Sequence, residues 1–146
     1  MRSNANYLIL PELRLILECC KGEASVEDAI IMKKDEMSDP MYSQDFDIIV
    51  DLQEFETFLD ISTYESISNF HNFLKEVEIM GKVAFLTTKP HQVVISEILK
   101  RLTSESLTIK TETFSTIDAA IRFIGHSMDE LDLINSKISE LNKNTG

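Results

Sequence analysis

Cysteine, glycine and positive charge are all scarce in this chain of 146 residues, and each shortage closes off a class of function. The only two cysteines are neighbours, Cys19 and Cys20. Adjacent strand positions point to opposite faces, so the two could bond to each other only under strain. They also lack zinc-ligand spacing, and they read as reduced packing residues. The four glycines are isolated, which leaves no glycine-rich loop to cradle a phosphate. With 14 basic against 25 acidic residues the net charge is −11. That balance argues against nucleic acid and against docking on anionic lipid head groups. No apolar run approaches the roughly 18 residues of a membrane span. The first residues lack a signal peptide's apolar core and small-residue cleavage site, so a cytoplasmic location is expected.

What the chain does carry is a 43% apolar share spread over short runs, enough for one globular domain. Residues 7–10 form one apolar run, and Leu13 to Cys20 form a second, with apolar residues alternating against Arg14 and Glu18. Period 2 predicts a half-buried strand, and only Pro11 and Glu12 part the two runs, so a hairpin or a strand broken at proline is expected. Ser25 with Asp28 predicts the cap of a first helix whose apolar stripe includes Val26, Ala29, Ile30 and Met37. Phe46 to Leu52 is rich in β-branched residues, as in a strand covered on both faces. A second helix is expected from about Ser62 to Met80, with Ile67, Phe70, Leu74 and Val77 on one face and Gly81 at its C-cap. Lys82 to Thr88 predicts another buried strand, and Pro90 opens a third helix lined by Val94, Ile95, Ile98, Leu99 and Leu102. Leu107 to Phe114 is a weaker strand, followed by a fourth helix capped by Ser115 and ending at Gly125. The order β-β-α-β-α-β-α-β-α predicts an α/β fold with a mostly parallel sheet and an N-terminal strand pair.

Residues 127–146 read as a C-terminal helical extension of the domain formed by residues 1–126. Met128, Leu131, Ile134, Ile138 and Leu141 keep helical spacing. So short a helix is marginal alone in water, and its stripe calls for support from its own domain or, as a homodimer through residues 128–141, from a second copy.

Candidate chemistry concentrates at two places. The first is the loop and helix start after the central strand, with Phe55, Phe58, Asp60, Thr63 and Tyr64 as a partner surface and Ser62 as phosphoacceptor or helix cap. Ser62 with Glu65 has the S-x-x-E form of a capping box, and a phosphate there would favour the helix dipole. The second is the carboxyl end of the parallel strands, where open α/β sheets bind ligands. There Asp51, Thr88 and His91 form a candidate pocket. None of the three histidines has metal-ligand spacing, and neither Ser nor Cys stands in a nucleophile motif. No metal, no cofactor and no catalysis are expected.

The strand order, the phrase Ile48-Ile-Val-Asp-Leu52 and the Ala-rich helix Asp118-Ala-Ala-Ile-Arg-Phe-Ile-Gly125 resemble STAS domains, the family of bacterial anti-sigma-factor antagonists, and within it the SpoIIAA-like branch. The likeness spans roughly residues 5–125. It implies a regulatory module that binds another protein. It also allows a carrier of a lipid-like or other small apolar ligand, with a dry cavity lined by helices two and three. The family's regulatory motif is Asp-Ser-Ser-Gly, and here the matching residues read Asp60-Ile61-Ser62-Thr63. Asp60 and Ser62 agree, whereas Ile61 and Thr63 depart, and the missing glycine removes a close backbone approach. A receiver-like alignment of Asp51, Thr87 or Thr88, and Lys110 is weaker, because no acidic pair follows the first strand to bind magnesium.

Overall fold

Pro11 cannot continue a strand ladder, and around it the chain reverses into a hairpin. The computed structural model of the chain describes residues 3–58, 64–106 and 110–146, without the side chains of residues 64, 67, 105 and 106. Strand β1 (Ala5–Leu10) pairs antiparallel with β2 (Leu15–Cys20) across a single 3₁₀ turn, Pro11–Leu13. Arg14 closes the turn in the left-handed region at φ 51°, its N–H donating to the Pro11 carbonyl at 3.1 Å. The chain then forms β3 (Gly22–Ala24), α1 (Val26–Ser38), β4 (Asp47–Asp51), β5 (Phe55–Phe58), α2 (Tyr64–Leu74), β6 (Val83–Leu86), α3 (Pro90–Ser106), β7 (Thr111–Phe114), α4 (Ile117–Phe123) and α5 (Leu131–Lys143).

The main sheet has the order β1-β2-β4-β6-β7, and every pair after the first is parallel. The fold is therefore α/β with a mostly parallel, mixed sheet. Strands β3 and β5 are additional to the expected order and form a small parallel ladder of their own. Each face of the main sheet carries its own core. Ile16, Cys20, Ile48, Val50, Val83 and Phe85 point to the side covered by α1, α2 and α3. Leu15, Leu17, Cys19, Ile49 and Ala84 point to the side covered by α4 and α5. Cys19 and Cys20 thus part to opposite faces as free, buried thiols. Burial and the Asp51 charge push the Cys19 thiol up to about 12.

Covering both faces changes the expected character of β2. Its alternation predicts one solvated face, yet all six of its residues are buried, Glu18 included. The C-terminal stripe meets the domain's own sheet, with Ile134, Ile138 and Leu141 buried in the second core. The chain end is also tied down, for the Gly146 N–H donates to the Ser3 carbonyl at 2.9 Å and Thr145 is buried.

Ser25 and Asp28 form the expected capping box of α1, while α4 is capped by Thr116, one residue beyond Ser115. Leu107 and Ile109 of the expected weak strand lie outside the described residues. The larger correction is the end of α2, at Leu74 and not at Met80. Val77 is buried as its spacing predicts, but from a turn whose N–H donates to the Leu74 carbonyl at 3.2 Å. Residues beyond it bond to the preceding loop: the Tyr42 hydroxyl donates to the Glu78 carbonyl at 2.8 Å, and the Met80 N–H to the Gln44 carbonyl at 2.8 Å. Those bonds draw the chain off the helix axis.

Gly81 consequently serves a close approach and not a helix cap. A Cβ there would collide with the Phe46 carbonyl and crowd the Asp47 nitrogen at the entry to β4. Backbone cannot yield as a flexible side chain does, so Gly81→Ala is expected to cost about 1–3 kcal/mol, as overpacking does. Urea unfolding checks this, and a midpoint equal to the parent's would show that the approach is looser than described.

Candidate functional site

The stripe of α1 that faces the sheet runs Val26, Ala29, Ile30 and then, one turn on, Lys33. A lysine in that position carries its ammonium into the core. There Lys33 Nζ lies 2.7 Å from Glu18 Oε2 of β2 and 2.7 Å from Glu36 Oε2 of its own helix. All three side chains are buried, Glu36 to 0% exposure. The other oxygen of Glu36, Oε1, is buried with no hydrogen-bond partner in the protein.

Two carboxyl groups facing one ammonium in a low-dielectric setting do not both keep their charge. Burial favours the neutral form of Glu18, but the Lys33 charge and hydrogen bonds from Glu36 and Lys33 outweigh it and hold Glu18 below the usual carboxylate range. Burial, then the Glu18 charge, push Glu36 up to about 9 despite Lys33. Burial pulls the Lys33 ammonium down, yet the two carboxyls outweigh it and leave its pKa raised. At neutral pH the triad is thus Glu18⁻, Lys33⁺ and a protonated Glu36, with no net charge.

Glu18 and Lys33 also form part of the wall of a cavity of about 110 Å³. Ile48, Val50, Val83 and Phe85 line it from the sheet, Ala29 and Met32 from α1, Phe70 and Phe73 from α2, and Leu99 from α3. Val77 and Ile79, drawn in by the turn after α2, close one side. The wall is mostly apolar, and its polar residues are Glu18 and Lys33 of the triad with Thr103 and Thr111.

The expected pocket at the carboxyl end of the strands does not assemble. Asp51 is buried on the α5 face, where its Oδ1 accepts from the Gln53 N–H at 3.0 Å and its Oδ2 from the Asn142 amide at 3.4 Å. Thr88 and His91 are exposed across the sheet from it, and His91 Nε2 meets the Phe55 carbonyl at 3.0 Å. What does organise this end is Gln92, which is 0% exposed. Its Oε1 accepts from the Thr88 N–H at 2.8 Å and the Lys89 N–H at 3.0 Å, and its amide donates to the Gln53 carbonyl at 2.8 Å. A single side chain thereby caps α3 and pins the loop after β4.

The receiver-like alignment fails on register. Asp51 ends β4 opposite Leu86, whereas Lys110 precedes Thr111, which pairs with Val83 at the other end of β6. The two stand at opposite ends of the strands, about 13 Å apart along the strand direction. Of the proposed partner surface, Phe55 and Phe58 are buried against each other with centroids 4.8 Å apart. Asp60, Ser62 and Thr63 lie outside the described residues, as does the Tyr64 side chain. Among the described residues no cluster of His, Cys, Asp or Glu is arranged to hold a metal ion. Among the described residues no helix is long and apolar enough to cross a membrane.

No protein-family model matches the chain, and no curated protein matches its sequence.

Two consequences are measurable. Gln92→Ala strands two N–H groups and a carbonyl, and is expected to cost about 2 kcal/mol or more in urea unfolding; a loss within error of zero would mean that water replaces the network. The second consequence concerns pH. A carboxyl whose folded pKa is raised favours folding below its unfolded value and loses that contribution as pH rises through the folded value. Glu36 should therefore make stability decline between pH 4.5 and about 9. Glu18 works the other way, its contribution being lost as pH falls below its ordinary 4.5, and that of Lys33 is lost only above its ordinary 10.5. Glu36→Gln should flatten the decline across that window, read from urea midpoints at stepped pH, and an unchanged slope would contradict the assignment.

Proposed function

We propose that this chain is a non-catalytic binding module of STAS-like type that holds a small apolar molecule between its sheet and helices α1 to α3. The observation that carries this reading is the cavity of about 110 Å³ with its mostly apolar wall. It is partly open to the surface, and an apolar cavity of about 150 Å³ takes up benzene. The volume therefore favours a ligand of single-ring size and disfavours a full acyl chain, which narrows the lipid-like alternative to small apolar molecules. The STAS-like assignment is supported by the antiparallel pair at the sheet edge followed by parallel strands alternating with helices.

A module that docks a protein through residues 54–64 draws less support, since Phe55 and Phe58, its two large apolar candidates, are committed to the interior. Catalysis draws less still, because Asp51 is turned to the face opposite Thr88 and His91. In the favoured reading α2 and the turn after it form much of the cavity wall, so occupancy would be felt at the chain's surface.

Benzene titrated into the labelled protein, followed by methyl NMR of Ile48, Val50 and Leu99, tests the proposal. Saturable shifts confined to these methyls are expected. Ala29→Leu places side-chain carbon in the same space and should abolish the shifts while leaving the urea midpoint equal or higher. A parent protein whose methyls do not respond would overturn the reading.

A further inference from the structure

The polar end of the cavity sets a chemical requirement on whatever fills it. An ammonium has three protons to donate, and Lys33 gives two of them to Glu18 and Glu36, each at 2.7 Å. Among the described residues the third has no protein acceptor. Lys33 and Glu18 are both on the cavity wall, whereas Glu36 stands behind them. Two carboxyls and one ammonium reach neutrality with a single shared proton, as the raised Glu36 and lowered Glu18 values also indicate. A further charge placed against this wall would have to be left uncompensated or would force that proton to move, and either is costly in largely apolar surroundings.

Resting on the binding reading above, we infer that the cavity selects a small neutral molecule with one hydrogen-bond acceptor, a carbonyl or hydroxyl oxygen, which takes the third N–H of Lys33. The hydrocarbon body lies against Phe70, Phe73 and Phe85, and the oxygen meets the triad. Carboxylates and amines of the same size are rejected, the first because the site already holds Glu18⁻, the second because Lys33⁺ stands at the wall. A hydrogen bond to a charged donor is worth about tenfold in affinity once desolvation is offset.

The test is a titration of the full chain at neutral pH with four probes of equal heavy-atom count: benzene, cyclopentanone, isobutyrate and cyclopentylammonium. Cyclopentanone is expected to bind about tenfold more tightly than benzene and to shift the Lys33 ¹⁵Nζ resonance, which benzene leaves in place. The two ions should not compete. Lys33→Met alone leaves two carboxyls unpaired, so the variant to use is Glu18→Gln with Lys33→Met and Glu36→Gln, which removes all charge together. It should retain benzene and lose the preference for the ketone. If benzene binds and the ketone shows no advantage, or Lys33 Nζ does not respond, the selectivity is wrong and the cavity reading survives. Tighter binding of isobutyrate or cyclopentylammonium than of cyclopentanone likewise overturns it. If neither benzene nor the ketone binds, both readings fall together.

Discussion

Lys33 stands between two carboxyl groups in a position that water hardly reaches. That arrangement connects more of this molecule than any other. Glu18 comes from β2, in the interior of the sheet, and Glu36 from the far end of α1, so the ammonium between them fixes how the helix lies on the strands. Breaking such a group by removing one partner costs far more than the group contributes against an apolar replacement. Its presence is therefore weak evidence for stability. The cavity lies beside the triad, with Glu18 and Lys33 in its wall.

Much of the architecture was legible in the chain itself. The β-branched run from Phe46 to Leu52 is buried on both faces, Ser25 and Asp28 cap α1, and Pro90 opens α3 as its fixed φ suits. Legibility failed where long-range bonds override a local pattern. The stripe through Phe70, Leu74 and Val77 continues helical spacing to its end, but bonds to Tyr42 and Gln44, more than 30 residues earlier, decide where α2 stops. Gly81 has the composition of a cap, and only the approach of Phe46 reveals its use.

The site was less legible than the fold. Asp51, Thr88 and His91 share a sheet end in sequence order, but strand pleating sends Asp51 to the opposite face, and single-sequence reasoning about loops does not resolve that. Gln92 carried no visible signal beyond its place three residues after the helix cap. The triad did leave one. Val26, Ala29, Ile30, Lys33 and Met37 fall on one helical face, and a lysine inside an apolar stripe asks for a buried acid. Glu18, read as the solvent side of an alternating strand, is that acid, and it was hidden because β2 is covered on both faces. The apolar volume beside them depends on how three helices seat on the sheet, which residue patterns do not encode.

The proposed ligand choice and the expected pH response both rest on the protonation state of Glu36, and that can be observed directly. A ¹³C titration of the glutamate side-chain carboxyls in the intact protein would follow Glu18 and Glu36 individually. Glu36 should be neutral at pH 7 and titrate near 9, with Glu18 titrating below the ordinary carboxylate range. Ordinary values for both would mean that water reaches the triad, and that the cavity has no neutral polar wall to offer a ligand.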